Sequence, residues 1–336
     1  MDKPAFNFTS AIFFFFKTLG RRPGAVAWIA LWQLILYALV YAPAFVLLWP
    51  FYAEIFGTLA QGGEPDEAQV LQHVVGLIGG VSLAVIGGLL ALLLAQAAWL
   101  RLMTRDEIAG GIPFRLGGDE VRLLGVNLLF MLANTVFWGV MFALVFVPNI
   151  VAVSSGGETG AVIGGAAVSA LVGVGAVFLW IVLALKFSAA PAMSVQQRRF
   201  RFFGSFAATK GITAWLFLVY LVAVVIYVAG YMVISIIQQI VGLLVAADLI
   251  GAMSALDGTE EPEVIFSILG DLLSQPGVLI AIAVMLFVQL VFQLLFEAFW
   301  HGPGAYAALR HVNDARARPD DPIAPAGSVG DAPSEG

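Results

Sequence analysis

Residues 161–187 read AVIGGAAVSALVGVGAVFLWIVLALKF, an apolar run with no charged side chain before Lys186. A helix needs roughly 20 such residues to cross ~30 Å of hydrocarbon. In lipid, only a chain that satisfies its own backbone hydrogen bonds is tolerated. The stretch therefore reads as a transmembrane span that ends on a cation. Five further stretches read the same way, at about 25–49, 74–100, 123–147, 214–241 and 277–300. The expected fold is all-α: one polytopic membrane domain of six transmembrane helices over residues 1–314. Residues 315–336 are rich in Pro, Gly, Ala and Asp and nearly lack large apolar side chains, so a disordered tail is expected there.

Composition agrees. Apolar residues make up 61% of the chain and charged residues 11%, with a mean hydropathy of +0.96. Globular domains sit nearer half apolar and a quarter charged. The net charge of −6 conceals a segregation by side. All 16 Lys and Arg fall in the N-terminal segment, the second and fourth connections, and the C-terminal segment. The other three connections hold Glu54, Glu64, Asp66, Glu67, Glu158 and the acids from Asp248 to Asp271, with no Lys or Arg. Cationic loops resist translocation, so both termini are expected in the cytoplasm. The first apolar run is longer than a signal-peptide core and is followed by no small-residue cleavage site. Arg21 and Arg22 precede Pro-Gly-Ala-Val rather than a twin-arginine signal, and read as the anchor of the first span.

Three segments on the basic side resemble one another: 6–28, 113–130 and 199–220. Each sets aromatic and basic residues directly before an odd-numbered span. Each even span closes on a related phrase, AQAAWLRLM, LALKFSAAPAM or FEAFWHGPGAYAAL. The pattern suggests three parallel copies of an interfacial helix followed by a hairpin. Interfaces in general attract such residues, and that simpler explanation stays open. The candidate headgroup contacts are Lys17, Arg21, Arg22, Arg198, Arg199 and Arg201, with Phe13 to Phe16 as the apolar face of the first segment. An elbow that only positions the next span is the alternative. On the acidic side, the spacing of apolar residues over 262–274 predicts an interfacial helix.

Small residues recur every fourth position at Gly76, Gly80, Ala84 and Gly88, and again at Ala161, Gly165, Ser169 and Gly173. Such stripes let helix backbones approach closely, within one chain or between two copies. The sixth span carries a polar stripe, Gln289, Gln293, Glu297 and His301, at intervals of one helical turn. Glu297 is the one carboxylate inside a predicted span, so it needs a partner. Lys186 and Arg101, which end the fourth and second spans, are the candidate cations. A structural ion pair and a proton or substrate relay both remain open. Gln33, Gln96, Asn127, Asn134, Gln238 and Gln239 read as interhelical hydrogen-bonding residues; a pocket lined by Gln238 and Gln239 with Tyr227 and Tyr231 is the lesser alternative.

Catalysis finds no support. The chain has three His and no Cys, and lacks an HExxH sequence, a nucleophile elbow and a phosphate loop. No cofactor or metal is expected. Nucleic acid is excluded as a partner, because no basic base-reading face occurs. Expected partners are membrane lipids, with a second copy or other membrane proteins as further candidates.

The segment FNFTSAIFFFFKTLGRRP from Phe6, the connection APAMSVQQRRFRFFGSFAATKG from Ala190 and the six-span spacing carry a resemblance. Over Phe6 to Val312 the chain resembles a loose group of uncharacterised bacterial six-span inner-membrane proteins. It is similar to the membrane domain fused to some glycerophosphodiester phosphodiesterases. The resemblance implies a bacterial inner membrane and a lipid-proximal role. The soluble catalytic barrel of those enzymes has no counterpart in this sequence, so their activity does not carry over. The expected function is a non-enzymatic scaffold or lipid-interacting module; the alternative is a small transporter using the stripe on the sixth span.

Overall fold

A computed structural model describes residues 6–60, 67–108, 110–154, 159–244, 250–251, 254 and 275–315. The expected interfacial helix at 262–274 and the expected disordered tail beyond Ala315 lie outside the described residues. Among the described residues the structure is helical, with no strand. Two short helices open the chain, α1 (Phe8–Ile12) and α2 (Phe14–Arg21). The long helix α3 (Pro23–Ala60) follows, then α4 (Glu67–Ser82), a π-turn (Leu83–Gly87) and α5 (Gly88–Arg105). Next come α6 (Gly118–Ser154), α7 (Thr159–Phe187), α8 (Ala190–Gln196), α9 (Gly204–Ala208), α10 (Thr213–Leu244) and α11 (Pro276–Ala315). Among the described residues six helices are long and apolar enough to cross a membrane, over Pro23–Ile55, Leu71–Arg105, Gly118–Ile150, Gly164–Gln196, Thr213–Leu243 and Pro276–Asn313. Each of them covers most of one expected span. The helices overrun the expected limits; α3 has 38 residues, or roughly 57 Å, against ~30 Å of hydrocarbon.

The chain divides into two compact units. The first comprises residues 1–22, 96–222 and 299–336. Its core is at the basic end of the spans, where Gln96–Met103, Ala189, Ala190, Ala192–Val195 and Ala305–Leu309 supply mostly small buried side chains. Small residues let backbones cross closely there. A Cβ on Gly304 would strike the Ser188 carbonyl oxygen, and one on Gly302 would lie 3.4 Å from the Phe15 backbone nitrogen. Aromatic rings fill the rest: Phe15 against Trp99 at 6.0 Å, Phe14 against Tyr306 at 5.9 Å, and Phe187 stacked on Phe202 at 4.5 Å. Above this core, α6 and α7 form a hairpin whose outward side chains are apolar and exposed, including Phe142, Phe146 and Phe178. The hairpin is joined by polar contacts expected of membrane helices. Trp180 Nε1 donates to Asn134 Oδ1 at 2.8 Å, and Asn149 Nδ2 donates to Ser169 Oγ at 2.5 Å.

The second unit comprises residues 23–95 and 223–298. The glycine stripe of α4 packs on α3: a Cβ on Gly76 would lie 2.9 Å from the Leu47 carbonyl oxygen, and one on Gly80 would lie 3.0 Å from that of Ala44. The π-turn shifts the register by a residue, so both Gly87 and Gly88 then face α3, against Val40 and Tyr41. Tyr227 of α10 packs on Phe296 and Phe292 of α11 at 4.3 and 5.6 Å. Gly230 admits the Phe292 ring, which a Cβ would meet at 2.6 Å.

Repetition of the interfacial helix is incomplete. The first copy holds the short helices α1–α2, and the third holds α9, with α8 just before it. At the second, α6 begins at Gly118, and the described residues among 106–117 hold no helix of their own. Gly110, Gly111 (φ 69°), Pro113 and Gly117 break helical continuity there. The segment is held by ion pairs instead.

Candidate functional site

Two polar centres stand out, one in each unit. In the first unit, α5 ends on Arg101 and Arg105, and α6 opens on Asp119 and Glu120, where acids are favoured by the helix dipole. Arg101 Nη1 pairs with Glu120 Oε1, and Arg105 Nη2 with Asp119 Oδ2. Asp119 Oδ1 also accepts from Arg122 Nη1 at 2.8 Å, and Arg101 Nη2 donates to the Pro113 carbonyl at 3.2 Å. The Arg101 and Glu120 side chains are 2% and 3% exposed. Opposed charges removed from water this completely must be matched pair by pair.

The acidic pair Asp106–Glu107, just beyond α5, makes a second and more exposed tier. Arg22 Nη2 donates to Asp106 Oδ2 at 2.8 Å, and Arg198 Nη2 to Glu107 Oε1 at 2.8 Å. Arg105 Nε lies 3.3 Å from Glu107 Oε2. Asp106 (φ 54°) and Arg198 (φ 52°) are the two described non-glycine residues in the left-handed region. By accepting the hydrogen bond of Arg22 and by charge attraction, Asp106 raises the Arg22 pKa above its ordinary value.

These pairings sort the six candidate headgroup residues. Arg22 and Arg198 are engaged by acids. Lys17, Arg21, Arg199 and Arg201 are exposed and have no acidic partner among the described residues. Lys17 Nζ donates to Ser10 Oγ at 2.9 Å. The connection from Arg199 to Lys210 interleaves exposed Arg199, Arg201 and Lys210 with exposed Phe200, Phe203 and Phe206. Phe203 is 71% exposed, whereas Phe202 beside it is buried in the core. The four phenylalanines at 13–16 split in the same way. Phe14 and Phe15 turn inward, and Phe13 and Phe16 outward.

In the second unit, Glu297 Oε2 accepts from Gln33 Nε2 at 2.9 Å and from Tyr37 Oη at 3.1 Å. Gln33 is fully buried and also donates to Tyr37 Oη at 3.1 Å. Glu297 Oε1 is buried with no hydrogen-bond partner among the described residues. Glu297 is held by neutral donors, while Arg101 is committed to Glu120 and Asp119, the nearer acids in the chain. Lys186 has no ion pair among the described residues; its carbonyl accepts from Ser205 Oγ at 2.6 Å. Of the remaining stripe, Gln289 Oε1 accepts a long bond from Gln238 Nε2 at 3.4 Å, Gln293 is exposed and His301 is half-buried.

Tyr37 and the acids at 106–107 and 119–120 are the residues that sequence reasoning passed over. Four acids placed among basic-side arginines were the available signal. No group of His, Cys, Asp or Glu among the described residues is arranged to hold a metal ion. No family model, curated protein or solved structure matches the chain.

Proposed function

We propose that this chain is a multi-pass protein of a bacterial inner membrane, with both termini cytoplasmic, acting as a non-enzymatic lipid-interacting scaffold. The observation that carries this reading is the Arg199–Lys210 connection. Three exposed cations without acidic partners among the described residues alternate there with three exposed phenylalanines. Rings of that kind enter the boundary between headgroups and acyl chains, and each nearby cation adds about 1 kcal/mol at an anionic surface. The confinement of all 16 Lys and Arg to one side supports the orientation. The resemblance to membrane domains fused to glycerophosphodiester phosphodiesterases supports a lipid-proximal role.

The test is native mass spectrometry of the protein released from nanodiscs of phosphatidylglycerol and phosphatidylcholine in equimolar mixture. The protein should retain phosphatidylglycerol in preference, and the R199Q/R201Q/K210Q variant should lose that preference. Equal retention of the two lipids by the unaltered protein would sink the reading.

A second reading, a small transporter for a proton or other cation, draws support from one observation. Glu297 sits among neutral donors with one oxygen unpartnered among the described residues, and Gln293 is exposed one turn away on the same helix. A buried carboxylate without a counter-ion is an intramembrane functional candidate. Proton flux into proteoliposomes, followed with an entrapped pH dye and abolished by Glu297→Gln, would establish it; flux equal to empty liposomes would dismiss it.

A further inference from the structure

The lipid reading leaves open why Arg22 and Arg198, two of the best-placed cations, are turned onto acids. Arg22 lies between α2 and α3, at the elbow of the first copy, and Arg198 lies between α8 and α9, directly before the third. Both reach consecutive residues, Asp106 and Glu107, which lie just beyond α5 and ahead of the second copy. One acidic dipeptide, ahead of the second copy, therefore ties the elbow of the first copy to the residue that directly precedes the third.

The two contacts are of an exchangeable kind. The Arg22 and Arg198 side chains are 51% and 65% exposed, and those of Asp106 and Glu107 are 29% and 38% exposed. Exposed pairs of this sort shift an equilibrium by only a few-fold. Asp106 and Arg198 must also hold a left-handed backbone that non-glycine residues disfavour. An anionic bilayer surface attracts each arginine by about fivefold in equilibrium constant, the same order as the pair it would replace. The deeper pairs of Arg101 and Arg105 have side chains no more than 7% exposed and are outside this competition.

We propose that Asp106 and Glu107 are an internal competitor for anionic phospholipid headgroups, forming a clasp that holds Arg22 and Arg198 until an anionic membrane surface takes them. The proposal rests on the lipid reading above and adds its regulation. In a neutral bilayer the clasp is closed. As the anionic lipid fraction rises, Arg22 and Arg198 move to headgroups, Asp106 and Arg198 leave their strained conformation, and the elbows separate from the 106–107 segment.

The experiment uses the full-length protein in nanodiscs of phosphatidylcholine with increasing phosphatidylglycerol. The chain contains no Cys, so G20C/I108C places two spin labels at exposed positions flanking the Arg22–Asp106 contact, and their separation is read by pulsed EPR. The separation should lengthen as phosphatidylglycerol rises, and D106N/E107Q should show the long separation in phosphatidylcholine alone. Lipid binding supplies the decisive contrast, because D106N/E107Q and R22Q/R198Q both break the Arg22–Asp106 and Arg198–Glu107 pairs. A competitor demands opposite effects: about fivefold tighter phosphatidylglycerol retention per arginine released in the first variant, and weaker retention in the second. If both variants shift retention in the same direction, the pairs are structural and the proposal is wrong. A separation that ignores lipid composition, in a protein that still prefers phosphatidylglycerol, overturns the clasp and leaves the lipid reading standing. Loss of that preference in the unaltered protein overturns both. Inorganic phosphate added to phosphatidylcholine discs should leave the separation unchanged; opening by phosphate would make the competitor a soluble anion and refute the lipid assignment.

Discussion

Glu120→Ala removes one member of a pair whose side chains are 2% and 3% exposed. Breaking a buried ion pair from one side costs about 3–5 kcal/mol, chiefly because the surviving charge stays buried. The structure sets the order within that range. After Glu120→Ala, Arg101 still has the Pro113 carbonyl at 3.2 Å and Asp119 Oδ2 at 3.9 Å. The loss should then lie near ~3 kcal/mol. After Arg101→Ala, Glu120 loses its one close cation among the described residues and the helix ends lose a buried alkyl stem. The loss should approach ~5 kcal/mol. The double variant R101M/E120L replaces both charges by apolar bulk and should cost less than the sum of the single losses by ~2 kcal/mol or more. Intrinsic tryptophan fluorescence during heating in a fixed detergent is the assay, with Trp99 buried on the same helix as Arg101. A loss of ~3 kcal/mol corresponds to a fall in Tm of roughly 6–12 °C. Single losses below ~1 kcal/mol, or strict additivity in the double variant, would refute the argument that this pair is desolvated.

Three other outcomes follow from the same geometry. Gly304→Ala places a Cβ against the Ser188 carbonyl and should lower Tm by an amount equivalent to ~3 kcal/mol or prevent folding, whereas Gly139→Ala, which meets nothing within 4 Å, should leave Tm unchanged or slightly raised by better helix propensity. Gly211→Ala must hold φ near 79° and should cost about 1–2 kcal/mol, read from the same melting curves. Glu297→Gln retains an acceptor for Gln33 and Tyr37 and should lower Tm by only a few degrees, about the effect of 1 kcal/mol; a larger fall than for Glu297→Ala would contradict the hydrogen-bonded arrangement.

The six spans are legible in sequence because hydrocarbon thickness imposes a length and a composition that no other context requires. The glycine stripe of α4 is legible for a related reason: close backbone approach admits few residue types, and the contacts of Gly76 and Gly80 with α3 match that reading. Helix ends are less legible. Nothing in composition marks where α3 leaves the apolar layer, and it continues to Ala60. The absent helix of the second copy was foreshadowed by Gly110, Gly111, Pro113 and Gly117, yet similarity of position to the other copies outweighed those breakers. Pairing of charges proved hardest. Arg101 falls at a span end on the basic side, and position along a helix does not determine which acid its side chain meets. Glu120, 19 residues from Arg101 in the chain, is the residue that the turn of the connection brings onto the guanidinium. Gln33 was recognised as an intramembrane polar residue without its partner, and Tyr37 was missed because a tyrosine in a span is equally well explained as packing.

The account depends most directly on which side of the membrane the Arg199–Lys210 connection occupies. The Cys-free chain permits a single Phe203→Cys to be labelled by a membrane-impermeant maleimide in intact cells and in inverted inner-membrane vesicles. Labelling in inverted vesicles and protection in intact cells is the predicted result, placing the exposed cations and phenylalanines at the anionic cytoplasmic leaflet. Labelling from outside intact cells would contradict the orientation, and with it both the lipid reading and the clasp.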